Sequence, residues 1–270
     1  MRGELCIGFA SFLSFAAMVL LIFTHIGQIN TSTVPRGIYM ARMNVSQYGC
    51  GLLFSLIFFL SNIDRDALHQ ALFDPIDDLY TSNPSAPLLE AQGLRQFYDF
   101  GLYSHCGYVN DSAGICSNET VGYPYKPYDY VVGDMAANYS IITSSVITGG
   151  SFRDSNYLGQ STKAAYWLIL LGTILAAISF FSGVAKHSLT FFLSAVFSAI
   201  GSLFVLVGAT IWTVIIKKSS GVSTIIIGTD PTPIGIYVSL GPGLFLTWAA
   251  FVCLFVSMIP YLISCCTYRG

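Results

Sequence analysis

Charge is what this sequence has least of. Only 10% of the 270 residues are Asp, Glu, Lys or Arg, against about 25% in a soluble globular domain. With 54% hydrophobic residues, the chain has too little polar side chain to solvate its own surface, and a water-soluble enzyme is excluded. The net charge of −2 lacks the basic excess that steers proteins onto nucleic acid, so no nucleic-acid partner is expected. Catalytic and cofactor signatures are missing too: there is no H-E-x-x-H, G-x-S-x-G, P-loop or G-x-G-x-x-G. The four histidines, His25, His69, His105 and His187, are scattered. Asp64, Asp66, Asp74, Asp77 and Asp78 are dense, but they lack the ligand spacing and central glycine of an EF-hand loop and read as a solvated helical face. The expectation is a protein without enzyme activity, cofactor or metal.

The charge that exists is unevenly placed. Nineteen of the 26 charged residues fall between Gln28 and Lys163, whereas the 107 residues from Ala164 onward hold only Lys186, Lys217, Lys218, Asp230 and Arg269. A bilayer core needs about 20 consecutive apolar residues per helix. Four segments qualify, Leu5–Ile26, Ala164–Ala185, Leu189–Ile216 and roughly Leu240–Cys265, and none contains Asp, Glu, Lys or Arg. The first is longer than a signal-peptide core and is followed by no A-x-A-like site at Thr24-His25-Ile26-Gly27, so it is expected to remain as a span. The division that follows is a cytosolic N-terminus (1–4), helices at 5–27, 164–185, 189–216 and 240–265, an extracellular domain (28–163), a cytosolic turn (186–188), an extracellular loop (217–239) and a cytosolic C-terminus (266–270).

Orientation rests on sequons. Asn30, Asn44, Asn110, Asn118 and Asn138 each begin N-x-[ST], and all five lie between the first two spans. Asn30 is close to the membrane, which leaves Asn44, Asn110, Asn118 and Asn138 as the glycosylation candidates. The large loop is therefore assigned to the outside and both termini to the cytosol. The positive-inside rule agrees for Arg2, Lys186 and Arg269 and disagrees for Lys217 and Lys218.

The outer region carries 12 acidic and 7 basic side chains. Val34–Val45 and Asp129–Ile147 read as strands and turns, and Asp64–Tyr80 as a helix. The apolar run Gly51–Ser61 is too short to span and reads as a piece of the domain core or a helix on the membrane interface. Of seven cysteines, Cys50, Cys106 and Cys116 lie outside the spans. Cys106 and Cys116 flank a short loop in an oxidising compartment and are expected to pair, a closure worth about 2–3 kcal/mol. Cys50 is left over, as a buried thiol or a partner in an intermolecular disulfide. Cys265 and Cys266, at the cytosolic end of the last span, are palmitoylation candidates.

Transport chemistry needs ionisable groups within the membrane, and only His25, at a span end, is present. The spans carry instead ladders of small residues: Gly172, Ala176, Ser179 and Gly183 on the second, and Ser194, Ser198 and Ser202 beside Ala195 and Ala199 on the third. Such faces let helices approach closely, either within the bundle or against a second copy of the chain or a partner protein.

The stretch Gly101-Leu102-Tyr103-Ser104-His105-Cys106, with its second cysteine at Cys116, resembles the G-L-W-x-x-C…C signature of claudin-like proteins, with Tyr103 in place of the tryptophan. Phe97-Tyr98-Asp99-Phe100 leading into it, Thr247-Trp248-Ala249-Ala250-Phe251, and the Pro260–Cys266 ending resemble more closely the fungal cortical-patch (eisosome-associated) and PalI family of four-span plasma-membrane proteins. The resemblance implies a claudin-like architecture: a mainly α membrane protein, with a four-helix transmembrane bundle and a β-containing, disulfide-pinned extracellular domain. It implies a role in organising a cortical membrane domain and supporting the cell wall, with membrane lipids and other membrane or cell-cortex proteins as partners. The alternative it leaves is an accessory subunit of ambient-pH sensing, calcium influx or membrane-fusion signalling.

Overall fold

A computed structural model of the chain describes residues 2–50, 79–185, 188–227 and 232–267. Four long helices dominate it: α1 (Arg2–Ile26), α5 (Ser155–Val184), α6 (Ser188–Ser219) and α7 (Pro242–Thr267). Each contains a stretch long and apolar enough to cross a membrane. At 30 and 32 residues, α5 and α6 extend about 45–48 Å, well beyond a hydrocarbon core of about 30 Å. The helices form a closed ring in which α1 packs on α5, α5 on α6, α6 on α7 and α7 back on α1. Their outward faces carry large apolar side chains, among them Phe12, Trp167 (52% exposed), Phe181 (68% exposed) and Leu203. That arrangement suits hydrocarbon as the solvent.

The small-residue ladders are consumed inside this ring. Gly172, Ala176, Ser179 and Gly183 of α5 are buried, as are Ser194, Ser198 and Ser202 of α6. A Cβ on Gly172 would meet Val205 Cγ2 at 2.5 Å, and one on Gly183 would strike the Tyr261 ring of α7. The hydroxyls also find partners within the chain. Ser198 bonds Ser257 (2.6 Å) and donates to the Leu254 carbonyl (2.7 Å), while Ser182 bonds Ser194 (2.7 Å).

The strands and short helices of the described residues gather at one end of the bundle. Five strands form an antiparallel sheet of order β4-β3-β2-β1-β7, comprising β1 (Ala41–Asn44), β2 (Phe97–Phe100), β3 (His105–Tyr108), β4 (Gly114–Cys116) and β7 (Tyr237–Leu240). A two-stranded ribbon of β5 (Ile226–Ile227) and β6 (Thr232–Pro233) stands beside it. β7 comes from the connection between α6 and α7, yet it pairs with β1 in the register Ala41↔Leu240 to Asn44↔Tyr237. The 217–239 loop is thus part of the same sheet as the long first connection. Sheet and bundle share one continuous core, running from Met43, Tyr98 and Phe100 through Tyr125 and Trp212 to Ile169 and Val205.

Local structure departs from expectation in three places. Thr33–Gly37 is a helical turn, α2, and only Ala41–Asn44 of the Val34–Val45 stretch is a strand. Asp129–Ile147 is not strand and turn but two helices, α3 (Pro127–Asp134) and α4 (Ala137–Val146). Pro127 opens α3, where its missing N–H costs nothing, and Pro127, Tyr130, Val131 and Asp134 bury one face. In α4, Ser140, Ser144 and Ser145 donate back to the carbonyls of Ala137, Ile141 and Ile142, which satisfies hydroxyls that otherwise favour turns. Third, Cys50 is exposed rather than buried. Gly51–Ser61, the Asp64–Asp78 acidic residues and Lys186-His187 lie outside the described residues.

Replacing Gly172 by Val is expected to force α5 off α6, lowering stability by about 1–3 kcal/mol, as overpacking in a tight core does. Thermal unfolding of the detergent-solubilised protein reads this directly.

Candidate functional site

The site that distinguishes this bundle is the turn joining β2 to β3, Gly101–Ser104, clamped where α1 ends. Gly101 closes the turn through its N–H to the Ser104 carbonyl (2.9 Å). A Cβ there would meet the Gly27 carbonyl at 2.5 Å, so only glycine admits this approach. Leu102 is buried. The Ser104 hydroxyl donates to the Gln28 carbonyl.

Gln28 is the hub. It is fully buried with φ +59°, a left-handed conformation that non-glycine residues adopt at a cost. Its side-chain amide donates to the carbonyls of Pro35 (3.0 Å) and Arg36 (2.8 Å), and its side-chain oxygen accepts the Tyr108 hydroxyl of β3 at 3.0 Å. One side chain therefore fastens the end of α1 to α2 and to the sheet.

Tyr103, at the signature tryptophan position, reaches the bundle instead. Its hydroxyl lies 3.1 Å from His25 Nδ1 at the end of α1, and the Tyr166 hydroxyl of α5 donates to it at 3.3 Å. His25 Nε2 is 3.0 Å from the Thr173 hydroxyl, which itself donates to the Ile169 carbonyl (2.8 Å). With Thr173 donating elsewhere, Nε2 must carry the proton and Nδ1 must accept from Tyr103. The chain Tyr166–Tyr103–His25–Thr173 is satisfied with a neutral imidazole, so the histidine at the end of α1 is spent on joining α1, α5 and the turn.

Below the turn, Cys106 and Cys116 face each other across β3 and β4 and form the disulfide, with an S–S distance of 1.99 Å. His105 beside it is fully buried, stacked on Tyr130 with ring centres 4.1 Å apart. Its Nδ1 bonds the Tyr123 hydroxyl at 2.7 Å, while Nε2 has no partner among the described residues. Burial, helped by the Arg95 charge, lowers its pKa from 6.5 to about 3.

Two ion pairs brace the domain. Arg42 forks onto Asp99 across β1 and β2, both contacts 2.6 Å, beneath the Tyr39 ring. Arg95 and Asp134 pair at 3.0 Å with no exposure on either side, and Asp134 also accepts Tyr98 OH (2.6 Å) and the Leu89 N–H (2.5 Å). Burial pushes both carboxyls up from the ordinary aspartate range, against the pull of these donors.

Of the remaining sequence candidates, Asn110 and Asn118 are exposed at the β4 side of the sheet and Asn44 is half-buried at the end of β1. Asn44 and Asn110 accept from the N–H of Ser46 (2.9 Å) and Ser112 (3.0 Å). Asn138 lies in the first turn of α4, and Cys265 and Cys266 in the last turn of α7. Gln28 and Tyr166 escaped sequence reasoning. A lone glutamine at a helix end carries no pattern, and a tyrosine in an apolar run reads as membrane-interface dressing.

A four-span bundle whose two sheet-bearing connections build one disulfide-pinned sheet defines a claudin-like membrane protein. A sequence model of the SUR7/PalI family matches residues 6–266, and the chain belongs to that family, whose members are membrane proteins of cortical-patch or pH-response type. No curated protein matches the sequence significantly.

Truncating Gln28 to Ala strands the Tyr108 hydroxyl and two carbonyls in a dry site, and a loss of about 2–3 kcal/mol is expected, seen as a lower unfolding midpoint. For His105, above pH 6.5 both folded and unfolded states are neutral. Below it, the unfolded chain takes up a proton that the folded one refuses, so stability falls by up to about 1.4 kcal/mol per pH unit until about pH 3. Asp99 and Asp134, shifted upward, contribute with the opposite sign, losing stability as pH rises. Comparing wild type with His105→Gln in melts from pH 7 to 4 isolates the histidine, and the variant is expected to show the flatter profile.

Proposed function

We propose that the protein is a non-enzymatic organiser of a cortical plasma-membrane domain, eisosome-like, that supports the cell wall and cell cortex. The observation that carries this reading is that the polar side chains of the small-residue ladders are spent inside the bundle. The serines of the ladders and the lone histidine are paired within the chain, and the outward faces are apolar and aromatic. Such a body has no ionisable pathway for transport and presents a stiff wall to lipids and neighbouring proteins. We place both termini in the cytosol and the sheet domain outside. The grouping of the sequons and the Cys106–Cys116 disulfide, a bond of oxidising compartments, support that assignment. Asn44, Asn110, Asn118 and Asn138 are the glycan acceptors in this reading, and Cys265 and Cys266 the acylated thiols. The partners are other membrane or cortex proteins that meet the lipid-facing or outer surfaces, since the small-residue ladders are covered within the chain.

Photobleaching of a C-terminally tagged copy in living cells tests the reading. Immobile surface patches with slow recovery are expected. A diffuse, quickly recovering signal overturns it and moves the weight to a pH-response accessory subunit, for which failure to grow at alkaline pH is the matching phenotype.

A further inference from the structure

Lys217 and Lys218 end α6 on the sheet side of the bundle, where the positive-inside rule does not want them. Both are exposed, and neither has a carboxylate partner among the described residues. Among the described residues, the carboxylates at the ends of α3 and α5 are engaged elsewhere. Asp129 pairs with Lys126 (3.8 Å) and accepts the Ser155 hydroxyl, and Asp154 accepts the Tyr157 N–H (3.0 Å) as the cap of α5. Lys218 instead rests its ammonium 4.8 Å from the centre of the Tyr157 ring and donates to that phenol at 3.2 Å, leaving donors to spare.

Directly beneath, an apolar slot of about 270 Å³ opens between α5 and α6, lined by Tyr157, Ser161, Ala164, Thr210, Ile211 and Val214. Thr210, Val214 and Lys217/Lys218 follow one another at helical spacing, so the slot and the cations lie on one stripe about 12 Å long. Helix-end lysines are ordinarily explained by the helix dipole. The dipole accounts neither for the tyrosine that positions one of them nor for the slot below.

The geometry points to a binding site for one membrane lipid with an anionic phosphodiester headgroup, in the leaflet next to the sheet domain. The phosphate sits on Lys217, Lys218 and the Tyr157 hydroxyl, and an acyl chain fills the slot. Cation and phenol supply charge-assisted donors, while small Ala164 and Ser161 leave room for the chain. The site does not depend on which leaflet that is.

The test uses the full-length protein in nanodiscs of phosphatidylcholine containing about 20 mol% phosphatidylinositol, with a photoreactive diazirine on the acyl chain of one lipid or the other. Labelled peptides are mapped by mass spectrometry. Expected is labelling within 157–164 and 210–214 by the phosphatidylinositol probe, at least about tenfold above the phosphatidylcholine probe. Lys217→Gln/Lys218→Gln is expected to remove that preference. Ala164→Phe, which fills the slot and spares the lysines, is expected to remove the labelling itself. An unchanged disulfide and elution volume show that the variants fold. Equal labelling by both probes, or retained preference in the lysine variant, overturns the proposal. Complete competition by free inositol phosphate also overturns it, by assigning a headgroup site without a lipid.

Discussion

The structure depends on what happens at Gln28. There the chain leaves hydrocarbon, ends a 25-residue helix and within a few residues must enter a sheet. In water the released carbonyls of a helix end cost little, but buried ones need partners. Gln28, in a left-handed conformation, donates its side-chain amide to the α2 carbonyls of Pro35 and Arg36 and offers its own carbonyl to the Ser104 hydroxyl, and in doing so it brings the β2–β3 turn down onto the bundle. Gly101 exists for that approach, and Tyr103 extends it to α5 through His25. Remove the glutamine, and both the orientation of the sheet and the seating of the signature turn lose their anchor.

Polar chemistry in this protein is therefore spent on joints. The ladder serines of the spans bond one another or a neighbouring carbonyl, and the buried Arg95–Asp134 pair ties the loop before β2 to the end of α3. Buried ion pairs are poor sources of net stability but strong specifiers, because losing one partner leaves a charge with nowhere to go. Here the pair fixes which loop meets which helix.

The spans, the disulfide and the family resemblance were legible in the sequence because each has a long or specific pattern: 20-residue apolar runs, two cysteines around a short loop, and a G-L-x-x-x-C motif. What was not legible has physical reasons. β7 is four residues long, and its partner β1 is about 200 residues away, so no local periodicity announces the pairing. α3 and α4 are rich in Tyr, Val, Ile and Thr, which favour strands on their own, and packing overrides that preference. Tyr103 reads as a defect in the signature until His25 and Tyr166 appear beside it. A phenol then does what an indole N–H cannot, accepting one hydrogen bond while donating another.

The entry of β7 into the sheet has a mechanical consequence. α1 leads into β1 through Gln28, and α6 and α7 both lead into β7, while α5 is joined to the turn by Tyr166. All four spans are thus moored to a single plate at one end, whereas at the other the described residues show side-to-side helix packing. A bundle built this way hinges from its plate like a half-closed umbrella. A change in bilayer thickness or lateral pressure is then expected to be taken up by splaying at the end away from the sheet, with the sheet keeping its shape.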